Sequence, residues 1–147
     1  MPSSDAISFA SIYLHKDKDG KLKMGPCWDF DLYVGNGGNK PDNKCFEWGS
    51  PWFSPLVVHN NTFKNKLSQR WDEIKNTVVK DELINYVAEL ETKLASAAAR
   101  NFAIWDTQTN PVFVGNMNRP LAGSWAKEVD YLQTWLNARW MYADGYY

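Results

Sequence analysis

Two spacings of apolar residues divide this chain. Between residues 12 and 24, Ile12 and Leu14 alternate with Tyr13 and His15, and Leu22 and Met24 alternate with Lys21 and Lys23. A period of two marks strands, and Asp19-Gly20 between the arms is a hairpin signal. Read as a two-residue turn, it sets Lys18 opposite Lys21, His15 opposite Met24, Tyr13 opposite Pro26 and Ser11 opposite Trp28. From Pro51 onward the apolar residues fall at steps of three and four. PWFSPLVV predicts a short apolar turn or helix. Asn61 is a cap for a helix over 62–76, with Phe63, Leu67, Trp71 and Ile74 on one stripe. Asp81 caps a second helix to Ile104, with Ile84, Val87, Leu90, Leu94, Ala98 and Phe102 inward. Pro111, Gly115, Pro120 and Gly123 predict a loop over 110–123. Ser124 caps a third helix to Tyr142, with Val129, Leu132, Leu136 and Trp140 inward, ending before Asp144-Gly145.

The pattern gives an α+β fold, mainly α: an N-terminal β-hairpin packed on about three helices. At 147 residues the chain reads as one domain. It divides into a hairpin and motif region (1–36), a Gly- and Asn-rich loop (37–50) and a helical part (51–147). A net charge of −1 and a pI of 6.1 give no electrostatic case for nucleic acid. No apolar run approaches the ~20 residues that span a bilayer, and MPSSDAIS carries no signal-peptide pattern. Cys27 and Cys45 are the two cysteines; they allow one disulfide or two thiols, and the count does not choose.

Candidate chemistry gathers at the open end of the hairpin. Its two ends lie side by side there, close to Asp29 and Asp31. Asp5 lies six residues before Ser11, a reach of up to about 20 Å. Three carboxylates brought together suit a hard divalent cation such as magnesium. Asp29-Phe30-Asp31 resembles the Asp-Phe-Gly metal turn of protein kinases; taken alone, the tripeptide is a weak signal and reads first as a solvated turn. Asp17-Lys18-Asp19-Gly20 fails as a calcium loop, because its glycine comes too early and its twelfth position is Trp28. GNGG at 35–38 lacks phosphate-loop spacing, no Cys or His spacing suggests zinc, and His15 and His59 read as structural or exposed.

Over its wider context the chain resembles the CotH kinase-like family, named after a spore coat protein. The residues that carry the likeness are Asp5-Ala6, Tyr13 with Lys16-Asp17, Gly20-Lys21-Leu22, and the string GPxWDFDxxxGN from Gly25 to Asn36. Pro51–Phe53, Arg70-Trp71 and W-L-x-x-R-W at Trp135–Trp140 extend it over nearly the whole chain. The resemblance implies the C-terminal lobe of an atypical protein-kinase fold that transfers the γ-phosphate of ATP to a protein serine. It implies Asp5 as the catalytic-loop residue, Asp29 as a metal ligand, Asp31 as a further ligand, and magnesium or manganese with ATP as cofactors. Nucleotide-binding residues are not assigned. It also implies a bacterial surface, spore-coat or secreted setting. Two departures stand out. Ser3 and Ser4 precede Asp5 where the family carries Asn or another polar residue, and the segment between Asp5 and Tyr13 is about one residue longer than the common pattern; near the place of a second-metal Asn the closest polar residues are Ser8 and Ser11. Because Asp5 comes so early, the glycine-rich cover and phosphate-binding Lys of a kinase are expected in a preceding part of a longer protein, without which these residues alone are inactive.

The rival reading is a non-catalytic surface, coat or carbohydrate-binding protein. Of eight tryptophans, Trp71, Trp135 and Trp140 fall in helical patterns and read as core. Trp28 adjoins the acidic motif, while Trp48, Trp52, Trp105 and Trp125 are free to face a ligand.

Overall fold

The computed structural model describes residues 13–26, 34–36, 54–107 and 121–147. The hairpin forms where the alternation predicts it, from β1 (Leu14–His15) and β2 (Lys23–Met24), paired antiparallel. Its register differs by one residue from that of a two-residue turn: Leu14 faces Met24 and His15 faces Lys23. The Gly20 amide donates to the Asp17 carbonyl at 3.0 Å, closing a four-residue turn, and the Gly25 amide donates to Tyr13 at 2.8 Å. The physical reason is the pattern itself. The predicted register sets His15 against Met24 and divides the apolar residues between two faces, whereas the observed one pairs Leu14 with Met24. The predicted Ser11–Trp28 pair lies outside the described residues. Tyr13, Leu14, Leu22 and Met24 are all exposed.

The helical part begins with α1 (Ser54–His59). It is followed at once by α2 (Asn61–Ile74), capped by Asn60 rather than Asn61. Asn60 has the extended backbone a cap requires, and its Oδ1 accepts from the Phe63 amide at 2.9 Å. Phe63, Leu67, Trp71 and Ile74 are half-buried along one stripe, as their spacing predicts.

The predicted break before Asp81 is absent. The chain continues through a π-helical segment (Lys75–Ile84) straight into α3 (Asn85–Ile104). No Gly or Pro interrupts residues 75–84, so nothing forces a stop, and Asp81 accepts from Asn85 Nδ2 at 3.2 Å instead of capping a helix. The wide turns have a packing cause. Ile74, Val79 and Ile84 stand five apart and are half-buried, half-buried and buried, while Val78 is exposed. The i→i+5 geometry of a π-helix keeps such a spacing on one face; 3.6 residues per turn does not. Within this segment the Lys75 carbonyl also accepts from Trp140 Nε1 at 2.8 Å.

Ser124 caps α4 (Trp125–Tyr146), accepting from the Lys127 amide at 3.4 Å. Glu128 reaches back to the Ala122 amide at 2.6 Å, adding a carboxylate at the positive helix end. The helix runs past Asp144-Gly145, where the sequence predicts an end. Gly145 is not in the left-handed conformation of a stop, and Asp144 is held by the neighbouring helix. Ile84, Trp135 and Leu136 form the core cluster, with Val34, Val79, Val87, Tyr131, Leu132 and Trp140 packed on it. Val129, Arg139 and Ala143 are also buried on α4.

Candidate functional site

Asp5, Asp29 and Asp31 lie outside the described residues, as do Ser8, Ser11, Trp28, both cysteines and the loop over 37–50. The structure describes the two stretches that flank the acidic motif. Gly25 stands four residues before Asp29, and Gly35 four residues after Asp31. Four residues span at most about 14 Å, so each flank limits where its aspartate reaches.

The leading flank belongs to the hairpin, where the Gly25 amide is bonded to Tyr13. The trailing flank, Val34 to Asn36, is seated on α4. Tyr131 donates its hydroxyl to the Gly35 carbonyl at 2.7 Å. Gly35 is buried and has φ +86°, a backbone conformation natural to glycine. A Cβ there would lie 2.6 Å from Trp135 Cδ1 and 2.8 Å from the Tyr131 hydroxyl. Glycine at this position is therefore required twice, once by the backbone and once by the close approach of two aromatic rings. Tyr131 and Trp135 are one turn apart, which puts both on one face of α4.

A second polar group ties α2 to the end of α4. Lys75 Nζ meets Asp144 Oδ1 and Asp72 Oδ1, each at 2.8 Å. Trp71 Nε1 donates to the same Asp144 oxygen at 3.1 Å. The hydrogen bonds Lys75 donates to Asp144 and then to Asp72 raise its pKa above the ordinary value. Those from Lys75 and then Trp71 hold Asp144 below its own. Lys80 stacks its ammonium over the Trp140 ring at 4.4 Å. All of this sits on the helical frame and reads as a structural clasp.

Of the tryptophans read as free, Trp48 and Trp52 lie outside the described residues. Trp105 is exposed, and Trp125 is half-buried against Phe102 with ring centroids 6.4 Å apart. Trp71, Trp135 and Trp140 are packed, as the helical spacing predicts. His15 and His59 are exposed. Among the described residues no three of His, Cys, Asp and Glu come together as a metal site, and no helix is long and apolar enough to cross a membrane. The carboxylates Asp5, Asp29 and Asp31 offer oxygen donors only, which is the donor chemistry magnesium takes. Sequence reasoning passed over Tyr131 and Gly35 as partners. The signal was available in Gly35, the glycine that closes the motif string, but nothing local connects it with a tyrosine 96 residues away.

The sequence model of the family described as CotH kinase protein matches residues 3–143. No curated protein and no solved structure matches the chain.

Proposed function

We infer the function from one premise: this chain belongs to the CotH kinase protein family. On that premise we propose that it carries the catalytic and metal-binding carboxylates of a protein kinase that passes the γ-phosphate of ATP to a protein serine. Asp5 orients the acceptor hydroxyl and takes its proton. Asp29 binds the cation, and Asp31 is a further oxygen ligand or an acceptor that steadies the turn. Magnesium or manganese, when bound, offsets the charge on the phosphate oxygens. Catalysis then rests on positioning and electrostatics, with no covalent enzyme intermediate. A bacterial surface, spore-coat or secreted setting belongs to the same proposal.

The observation that carries this reading is the acidic string GPxWDFDxxxGN inside a family match spanning nearly the whole chain. It is tested in the natural full-length protein by following transfer of labelled γ-phosphate to a serine-rich acceptor, in magnesium or manganese. Wild type is expected to transfer phosphate, and Asp29→Ala to lose at least about a hundredfold in rate, as loss of a metal ligand implies. No transfer by wild type across varied acceptors would move the weight to a non-catalytic binding role, with Trp105 the first exposed ring to substitute.

A further inference from the structure

We propose that the hairpin is a docking finger for an anionic lipid surface. Its apolar face, made by Leu14, Leu22 and Met24, enters the headgroup layer, and its lysines lie against the lipid phosphates. The proposal stands apart from the phosphate-transfer reading and takes no residue from it.

The register assembles this face. Leu14 pairs with Met24, and two residues nearer the turn Lys16 and Leu22 fall on the same side, while His15 and Lys23 take the other. Every residue from Tyr13 to Met24 except Gly20 is exposed. Leu14, Leu22 and Met24 are 54, 64 and 53% exposed. Apolar side chains scattered singly over a surface need no partner, but three gathered on one face of one finger mark a contact site. Charge selects the occupant. Four lysines (Lys16, Lys18, Lys21 and Lys23) against two aspartates (Asp17 and Asp19) put the finger at +2, while the whole chain is at −1. Lys23 answers Asp17 at 3.6 Å, and Lys16 Nζ reaches the Asp17 and Lys18 carbonyls. Lys18 and Lys21 are exposed beside them. Two copies of this face repel each other. A binding protein asks for about 800 Å² and roughly 20–30 residues a side, more than a finger of a dozen residues presents. A lipid surface asks for no matching shape. It takes apolar side chains into its headgroup boundary and attracts lysines, whose stems lie along apolar surface while their charges stay in water.

The test is co-sedimentation of the natural full-length protein with vesicles, without added divalent metal or nucleotide. One set is phosphatidylcholine alone; the other is phosphatidylcholine and phosphatidylglycerol in equal parts, at low and at raised salt. Wild type, Leu14→Ala with Leu22→Ala, Lys18→Gln with Lys21→Gln, and Val58→Ala are compared, with vesicle-free melts of each. Val58 is exposed on α1, outside the hairpin, and its variant is expected to bind as wild type. Wild type is expected to pellet with the phosphatidylglycerol vesicles and to be released by salt. The lysine pair is expected to bind about five- to thirtyfold more weakly, and the leucine pair about tenfold more weakly or worse. Wild type that stays in the supernatant overturns the proposal; its retention on immobilised polyglutamate, lost in the lysine pair, would give the face to an acidic protein instead. Wild-type binding by either pair also overturns it, since another surface then carries the contact. If the leucine pair melts below the assay temperature, the lysine pair alone decides.

Discussion

The hairpin and α4 hold their places by opposite means. The hairpin is fastened by neighbours: Gly20 to Asp17, Gly25 to Tyr13, and Lys23 to Asp17 at 3.6 Å across an exposed turn. Its apolar side chains stay in solvent. Helix α4 is fastened by partners far along the chain: Gly35 at 96 residues, Trp71 at 73, Lys75 at 69 and again at 65 through Trp140. Turn chemistry and alternation are enough to shape the first, but they bury little. The second gains its stability from apolar area removed from water and from donors that find acceptors on another element. In sequence, Asp29 and Asp31 stand between Gly25, bonded within the hairpin, and Gly35, bonded to α4.

The sharpest way to break the comparison is to empty the centre of the helical core. Trp135→Ala is expected to cost about 3–5 kcal/mol, read from denaturant unfolding. A cost near zero would mean that Ile84 and Leu136 close over the space and that α4 is no better anchored than the hairpin.

Asp144→Asn is expected to cost less, and its cost is expected to depend on pH. The folded state holds Asp144 below its ordinary value. Its contribution is therefore present above the ordinary carboxylate range of about 4 and is lost as pH falls through the depressed value. Lys75 is raised, so its contribution is present below the ordinary lysine value and is lost only as pH climbs through the raised one. Wild type and Asp144→Asn should thus differ most near neutrality and converge in acid, in melts taken from pH 7 downwards. A difference that persists unchanged below pH ~2 would show that the clasp does not act through the ionised carboxylate.

The smallest effect is expected from the hairpin. Leu14 is 54% exposed, and Leu14→Ala should change stability by no more than about 0.5 kcal/mol. A loss of several times that, by the same unfolding measurement, would show that this face is covered in solution and that the contrast between the two regions is false.

Much of the secondary structure is legible in the residues. The period of two marks the hairpin, and the steps of three and four pick out the inward residues of α2 and α4. Ser124 is recognisable as a cap because its hydroxyl acts only on the next turn. The register is not legible in Asp19-Gly20 alone: a two-residue turn there sets His15 against Met24, whereas the hairpin pairs Leu14 with Met24. The continuous helix through Asp81 is hidden for a related reason: Ile74, Val79 and Ile84 stand five apart, a spacing that a 3.6-residue period discards. The acidic string and the family it belongs to were legible too, because both are carried by the order of residues along the chain.

Sequence by itself thus determined the element types, the caps that act within one turn and the carboxylates offered for chemistry, since each depends on neighbours a few residues away. Only the tertiary structure decided that Tyr131 meets Gly35, that Lys75 meets Asp144, and that residues 75–84 widen into π-helical turns against Trp140. Those contacts join positions 65 to 96 residues apart. No local propensity encodes such a pairing; it exists only once burial has brought the two segments together.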